Sequence, residues 1–142
     1  MSNLDNFADV NGVRICYRTL GDPSHPPLLL VMGLGAQLIG WPEGFVQKFA
    51  DEGFFVITFD NRDCGLSSKT EGEPEDSGEL LVRAAIGDEV IQKYSLSDMA
   101  HDSVSLLKNL GFEAAHIVGA SMGGMIAQTI AIEHPSNVLS LT

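Results

Sequence analysis

The stretch His116-Ile117-Val118-Gly119-Ala120-Ser121-Met122-Gly123-Gly124-Met125 decides how this chain folds. His116 to Val118 read as an apolar strand, residues 119 to 123 spell Gly-x-Ser-x-Gly, and Met125 to Glu133 read as a helix. A strand that enters a tight glycine-framed turn and leaves as a helix is the setting of a nucleophile elbow, which lifts one serine clear of a sheet. Gly119 and Gly123 leave room for the turn and for close strand–helix packing. Serine at its own pKa is a weak nucleophile, so it needs a base within hydrogen-bond reach and donors for an oxyanion. The Met122 N–H, at the helix start, is expected to point at such a developing charge.

Outward from the elbow, the pattern is one of strands alternating with helices. Asn11-Gly12 is a two-residue hairpin signal. Val13, Ile15 and Tyr17 then alternate with Arg14, Cys16 and Arg18, as in a strand with one buried face. Residues 21–27 form a loop, and Leu28 to Met32 is a continuous apolar run that fits a central strand covered on both sides. Gly33-Leu34-Gly35 breaks it. Pro42 suits a first helical turn, Phe45, Val46, Phe49 and Ala50 keep helical spacing, and Phe54 to Phe59 is a second buried strand. Two strands joined through a helix predict parallel pairing. From Lys69 to Lys93 the sequence reads as a solvated loop, with seven acidic residues between Glu71 and Glu89 and a short helix around Leu80 to Ala85. Ser97 is the expected N-cap of a helix whose buried face carries Met99, Val104, Leu107 and Leu110, closed by Gly111. A last strand starts near Val138. The order predicts a single α/β domain over residues 1–142, a mostly parallel sheet with helices on both faces. Ligands on such sheets bind at the carboxyl ends of strands, where Gly33-Leu34, Asp60 to Gly65 and Ser121 all fall.

Composition narrows the partners. The 142 residues carry 19 acidic against 8 basic side chains, a formal charge of −11. That argues against nucleic acid and anionic membranes as partners. No apolar run is long enough to cross a bilayer, and the N-terminus has no basic region followed by an apolar stretch. The expected location is cytoplasmic, with Cys16 and Cys64 as free thiols. The two cysteines have no metal-ligand spacing, and neither a metal nor a cofactor is expected.

Several motifs together resemble the α/β-hydrolase fold family, in particular its bacterial esterase-like branch that includes aclacinomycin methylesterase. They are Asn11-Gly12, Leu29-Leu30-Val31-Met32-Gly33-Leu34-Gly35, Gly40-Trp41-Pro42, Phe59-Asp60-Asn61-Arg62-Asp63-Cys64-Gly65-Leu66-Ser67, and the elbow from His116 to Met125. The resemblance covers nearly the whole chain. It implies a serine hydrolase of small-molecule carboxylic esters, with Ser121 as nucleophile and the backbone N–H groups of Leu34 and Met122 as oxyanion hole. Gly33, Trp41 and Met125 are candidate substrate-binding residues. Asp60 and Arg62 read as loop-fixing residues with paired charges. A nucleophilic serine argues against a dehalogenase, which would need aspartate at position 121; a thioesterase or cofactor-free peroxidase remains compatible with the fold.

In the family the triad acid and histidine follow the serine on later strands. The chain therefore reads as the N-terminal half of the fold, with lid and C-terminal strands absent. None of its four histidines is expected to substitute: His134 lies about 20 Å from Ser121 at helical rise, His116 and His25 sit at the wrong strand ends, and His101 faces solvent. Val138 to Thr142 becomes an apolar edge that would pair with the C-terminal half or with a second copy. The alternative is a non-catalytic half-domain that associates through that strand.

Overall fold

Asn11 (φ 48°) and Gly12 (φ 75°) both take left-handed backbone. A two-residue hairpin turn of type I′ requires this of both its central residues. They join β1 (Asn6–Val10) to β2 (Val13–Leu20) in antiparallel register. The computed structural model describes residues 4–72 and 76–142. The expected breaker Pro74, with Glu73 and Glu75, lies outside them.

Two fully buried strands follow, β3 (Pro27–Val31) and β4 (Phe55–Phe59), and then a partly buried one, β5 (Ala115–Gly119). Together with β6 (Val138–Leu141) they complete a six-stranded sheet of order β1-β2-β4-β3-β5-β6. β4 pairs parallel with β3, β3 with β5, and β5 with β6, while β2 runs antiparallel to β4. The βαβ reading of residues 28–59 thus holds, and β6 forms one edge of the sheet.

Strand alternation sorts the core into two layers. Leu29, Val31, Ile57, Phe59 and Ile117 face α3 (Leu96–Asn109) and α4 (Met122–Glu133), where Val104, Leu106, Leu107, Ile126 and Ile130 meet them. Leu28, Leu30 and Val56 face the other way and pack on Val46 of α1 (Glu43–Asp51). Helices therefore cover both faces, as expected. Among the described residues no helix is long and apolar enough to cross a membrane.

Three local readings are corrected. The N-cap of α3 is Ser95, not Ser97: its hydroxyl accepts the Asp98 N–H while the Asp98 carboxylate takes the Ser95 N–H. That is a reciprocal box, which Ser97 cannot form. The acidic loop contains a full α2 (Ser77–Ala85), which starts earlier than the expected helix because Asp76 caps the Glu79 N–H. Cys16, expected on the solvent face of β2, is fully buried, and the chain following β4 runs alongside β2 there. The Cys16 N–H donates to Ser67 Oγ at 2.9 Å. Burial pushes the Cys16 thiol pKa up to about 11. Both cysteines are free thiols.

Candidate active site

The elbow forms where β5 ends and α4 begins. Ser121 adopts φ 56° and ψ −124°. Positive φ of this kind is a conformation that few side chains tolerate. The turn survives because glycine lies on both sides of it. A Cβ at Gly119 would overlap the Gly123 carbonyl, and one at Gly123 would overlap the Val31 carbonyl. The Ala120 N–H donates to Val31 O at 3.0 Å, tying the elbow to the end of β3. Ser121 is exposed, as an attacking group must be.

The Gly33-Leu34-Gly35 loop lies directly against it. A Cβ at Gly33 would stand 3.0 Å from Ser121 Cβ and 3.5 Å from Ser121 Oγ. A side chain there would press on Ser121 and on the Ala120 carbonyl, so glycine eases the close approach of the loop. Residues 33–36 form a turn in which the Ala36 N–H donates to Gly33 O at 3.2 Å. Gly35, at φ 68°, supplies the left-handed residue that such a turn needs. Leu34 occupies the corner of that turn and is 80% exposed. Among the described residues neither its N–H nor that of Met122, the first residue of α4, donates a hydrogen bond. Two unspent backbone donors thus accompany the serine, one on Met122 beside it and one on the loop that packs against it.

The other expected binding residues separate. Met125, one helical turn beyond Ser121, is 57% exposed on α4. Trp41 packs instead on the α1 side, stacked on Phe45 at 5.6 Å, and lines a cleft of about 140 Å³ with Arg18, Leu38, Val46 and Thr58. Ser121 does not line that cleft.

The histidines stay away from the serine. His134 ends α4 opposite Ser121, and its ring packs edge-to-face on His101 at 5.8 Å. His116 Nδ1 meets Ser140 Oγ at 2.7 Å, at the start of β5. Among the described residues no group of three or more His, Cys, Asp or Glu side chains is placed to hold a metal.

The loop after β4 carries the densest polar network, and sequence reasoning finds only part of it. Asp60, 2% exposed, accepts the Leu38 N–H at 2.7 Å and the Leu66 N–H at 2.8 Å. Arg62 pairs with Asp102 of α3 through two 2.7 Å contacts. The hydrogen bonds to Asp102, outweighing burial, hold the guanidinium pKa above its ordinary value. Asp102 also accepts Asn11 Nδ2 at 2.8 Å. The loop-fixing role of Asp60 and Arg62 is therefore visible, but the expected charge pairing holds for Arg62 alone: Asp60 takes backbone amides, and Arg62 takes Asp102, which escapes the sequence reading. Its signal is present: it sits three residues after Met99 and four before Leu106, on the apolar face of α3. An unpaired carboxylate there would be costly. Asn61 and Cys64 escape it too; nothing local in sequence marks their partners, which lie on a different loop.

Comparison with known proteins agrees with this architecture. Over 123 residues the chain is 34% identical to rhodomycin D methylesterase DnrP of Streptomyces peucetius, covering 87% of this chain and 36% of that protein. Over 118 residues it is 34% identical to a fluoroacetate dehalogenase of Burkholderia sp, covering 83% of this chain and 33% of that protein. The chain thus spans about a third of the length of these curated relatives. Among solved structures it superposes on the enol-lactonase of Burkholderia xenovorans LB400 with TM-score 0.77 at 24% identity, covering 96% of this chain and 45% of that one. Residues 26–142 match the family described as alpha/beta hydrolase fold. With the strand order, the elbow and that match in agreement, the chain belongs to the α/β-hydrolase fold family.

Proposed function

We propose that this chain carries the nucleophile half of a serine hydrolase acting on small carboxylic esters, residues 1–142 forming the N-terminal portion of the catalytic core. One observation carries the reading: Ser121 is held exposed in a strained conformation while the Gly33–Gly35 loop packs against its side chain. In this reading Ser121 Oγ attacks the acyl carbon and gives its proton to a base. The Leu34 and Met122 N–H groups hold the oxyanion, the alcohol leaves, and water then releases the acid. Met125 borders the acyl group, while Trp41 lines the separate cleft beside α1.

The base is proposed to be a histidine from outside these 142 residues, since His101, His116 and His134 are engaged elsewhere and His25 precedes β3, at the end of that strand away from the Gly33 loop. The 34% identity to rhodomycin D methylesterase favours an ester over other acyl substrates. Similarity to the fluoroacetate dehalogenase does not transfer its chemistry. Displacement of halide by the residue at position 121 would need a carboxylate, whose ester water can cleave; serine there would be left as an ether that it cannot.

The test is hydrolysis of a short-chain aryl ester beside a Ser121→Ala control, with labelling by a fluorophosphonate located by mass spectrometry. Ser121-dependent turnover or labelling supports the reading. Because the proposed base lies outside these residues, the result that overturns the reading is neither turnover nor labelling once the folded chain is joined to a C-terminal half that carries the histidine. A second reading, a non-catalytic half-domain that pairs through β6, is favoured by the exposed Leu139 and Leu141 on that edge strand. It requires a discrete dimer, or a complex with a C-terminal half, in which β6 amides are protected from exchange.

A further inference from the structure

We propose that Asn61 is a positioning residue for the Leu34 amide, anchoring from behind the loop that presents it; the inference rests on the Ser121 reading above. Residues 33 to 35 include two glycines, so the turn has little intrinsic preference for one orientation of its peptide planes. An oxyanion donor, however, must stand about 2.7–3.1 Å from the charge it serves. Something outside the turn has to fix it.

The loop after β4 supplies three fixed points. Asn61, 4% exposed, donates from Nδ2 to Met32 O at 3.0 Å, the carbonyl just before Gly33. Cys64 donates from Sγ to Ala36 O at 3.0 Å. Asp60 accepts the Leu38 N–H at 2.7 Å. Residues 32, 36 and 38 are pinned, and only the corner carrying Leu34 is left to project. Of the three anchors Asn61 is nearest to that corner: fixing the Met32 carbonyl fixes the Met32–Gly33 peptide plane, and only the φ and ψ of Gly33 separate that plane from the Leu34 N–H. The anchor itself cannot drift. Its neighbour Arg62 is clamped to Asp102 at 2.7 Å, and Ser67 Oγ closes onto Asp60 O at 2.6 Å. Position is thus passed from α3, through the β4 loop, to the donor beside the serine.

The experiment is residue-resolved amide exchange on the whole chain, comparing the parent with Asn61→Leu and Asn61→Gln. The Ala36 amide, bonded across the turn to Gly33 O, is the reporter. The loss of one buried neutral hydrogen bond is expected to speed its exchange about tenfold in Asn61→Leu. Asn61→Gln, which keeps an amide donor, should return it towards the parent rate. The Ala120 and Gly123 amides of the elbow should be unchanged in both, which excludes general loosening. Equal Ala36 exchange in Asn61→Leu and the parent overturns the inference, as does an equal rise at Ala120. Asn61→Ala replaces the leucine variant if the larger side chain prevents folding. A boronic acid then separates the two readings. If it shifts the Leu34 and Met122 amides only when Ser121 is present, Asn61→Leu should weaken the Leu34 shift and spare that of Met122. No Ser121-dependent shift in the parent, with the exchange result intact, counts against the Ser121 assignment and not against the anchoring.

Discussion

Ser121 shows how one residue can hold strain for a purpose. Its backbone sits at positive φ, which costs a non-glycine residue on the order of 1–3 kcal/mol. Glycine at that position would shed most of the strain but lose about 0.5–1 kcal/mol to chain entropy. Ser121→Gly is therefore expected to raise unfolding stability by about 1 kcal/mol, while Ser121→Ala, which keeps the Cβ, should be nearly neutral. Urea unfolding of the two variants checks this, and a Ser121→Gly chain less stable than the parent would mean the elbow is not strained. At this scale the sequence is highly informative. Gly-x-Ser-x-Gly between an apolar strand and a helix locates the turn, because only glycine fits where the backbones of Gly119 and Gly123 meet. Asn61 is illegible for the opposite reason: its meaning lies in a carbonyl on another loop, and a single sequence does not state which loops meet.

Among the elements, α3 carries the sharpest lesson. Apolar spacing locates its buried face correctly, yet places its start two residues late, because Ser95 and Ser97 both precede Asp98 and either resembles a cap. Reciprocity decides between them. Ser95→Ala should cost about 1 kcal/mol, and Ser97→Ala much less. The same box sets an acid dependence. The Ser95 backbone N–H and then its hydroxyl hold the Asp98 carboxyl below its ordinary value. A depressed folded pKa means that the stabilisation is complete above the unfolded value, about 3.9, and is lost as pH falls through the folded one. The parent should therefore lose more stability than Asp98→Asn as pH falls below about 3.9, which denaturant unfolding across that range would show. Equal slopes would mean the box is not formed in solution.

Across the whole molecule, the Arg62–Asp102 pair joins three distant parts of the chain: the hairpin turn through Asn11, α3, and the loop after β4. The two side chains are 13% and 2% exposed. Removing one partner strands the other, so Asp102→Ala is expected to cost about 3 kcal/mol, whereas the double variant Arg62→Met, Asp102→Leu should recover much of that. A double variant no more stable than Asp102→Ala would show that the geometry of the pair, and not the stranded charge, is what matters. Parallel pairing and two covered faces follow from the order of elements, but the crossed order of the central strands does not, since alternation along a chain does not say which strand lies beside which. That order has a consequence for biosynthesis. Leu28 pairs on one side with Val56 and on the other with His116. As the chain leaves the ribosome, the apolar β3 waits half-paired until β5 arrives. During that interval the open edge of β3 is exposed to mispairing.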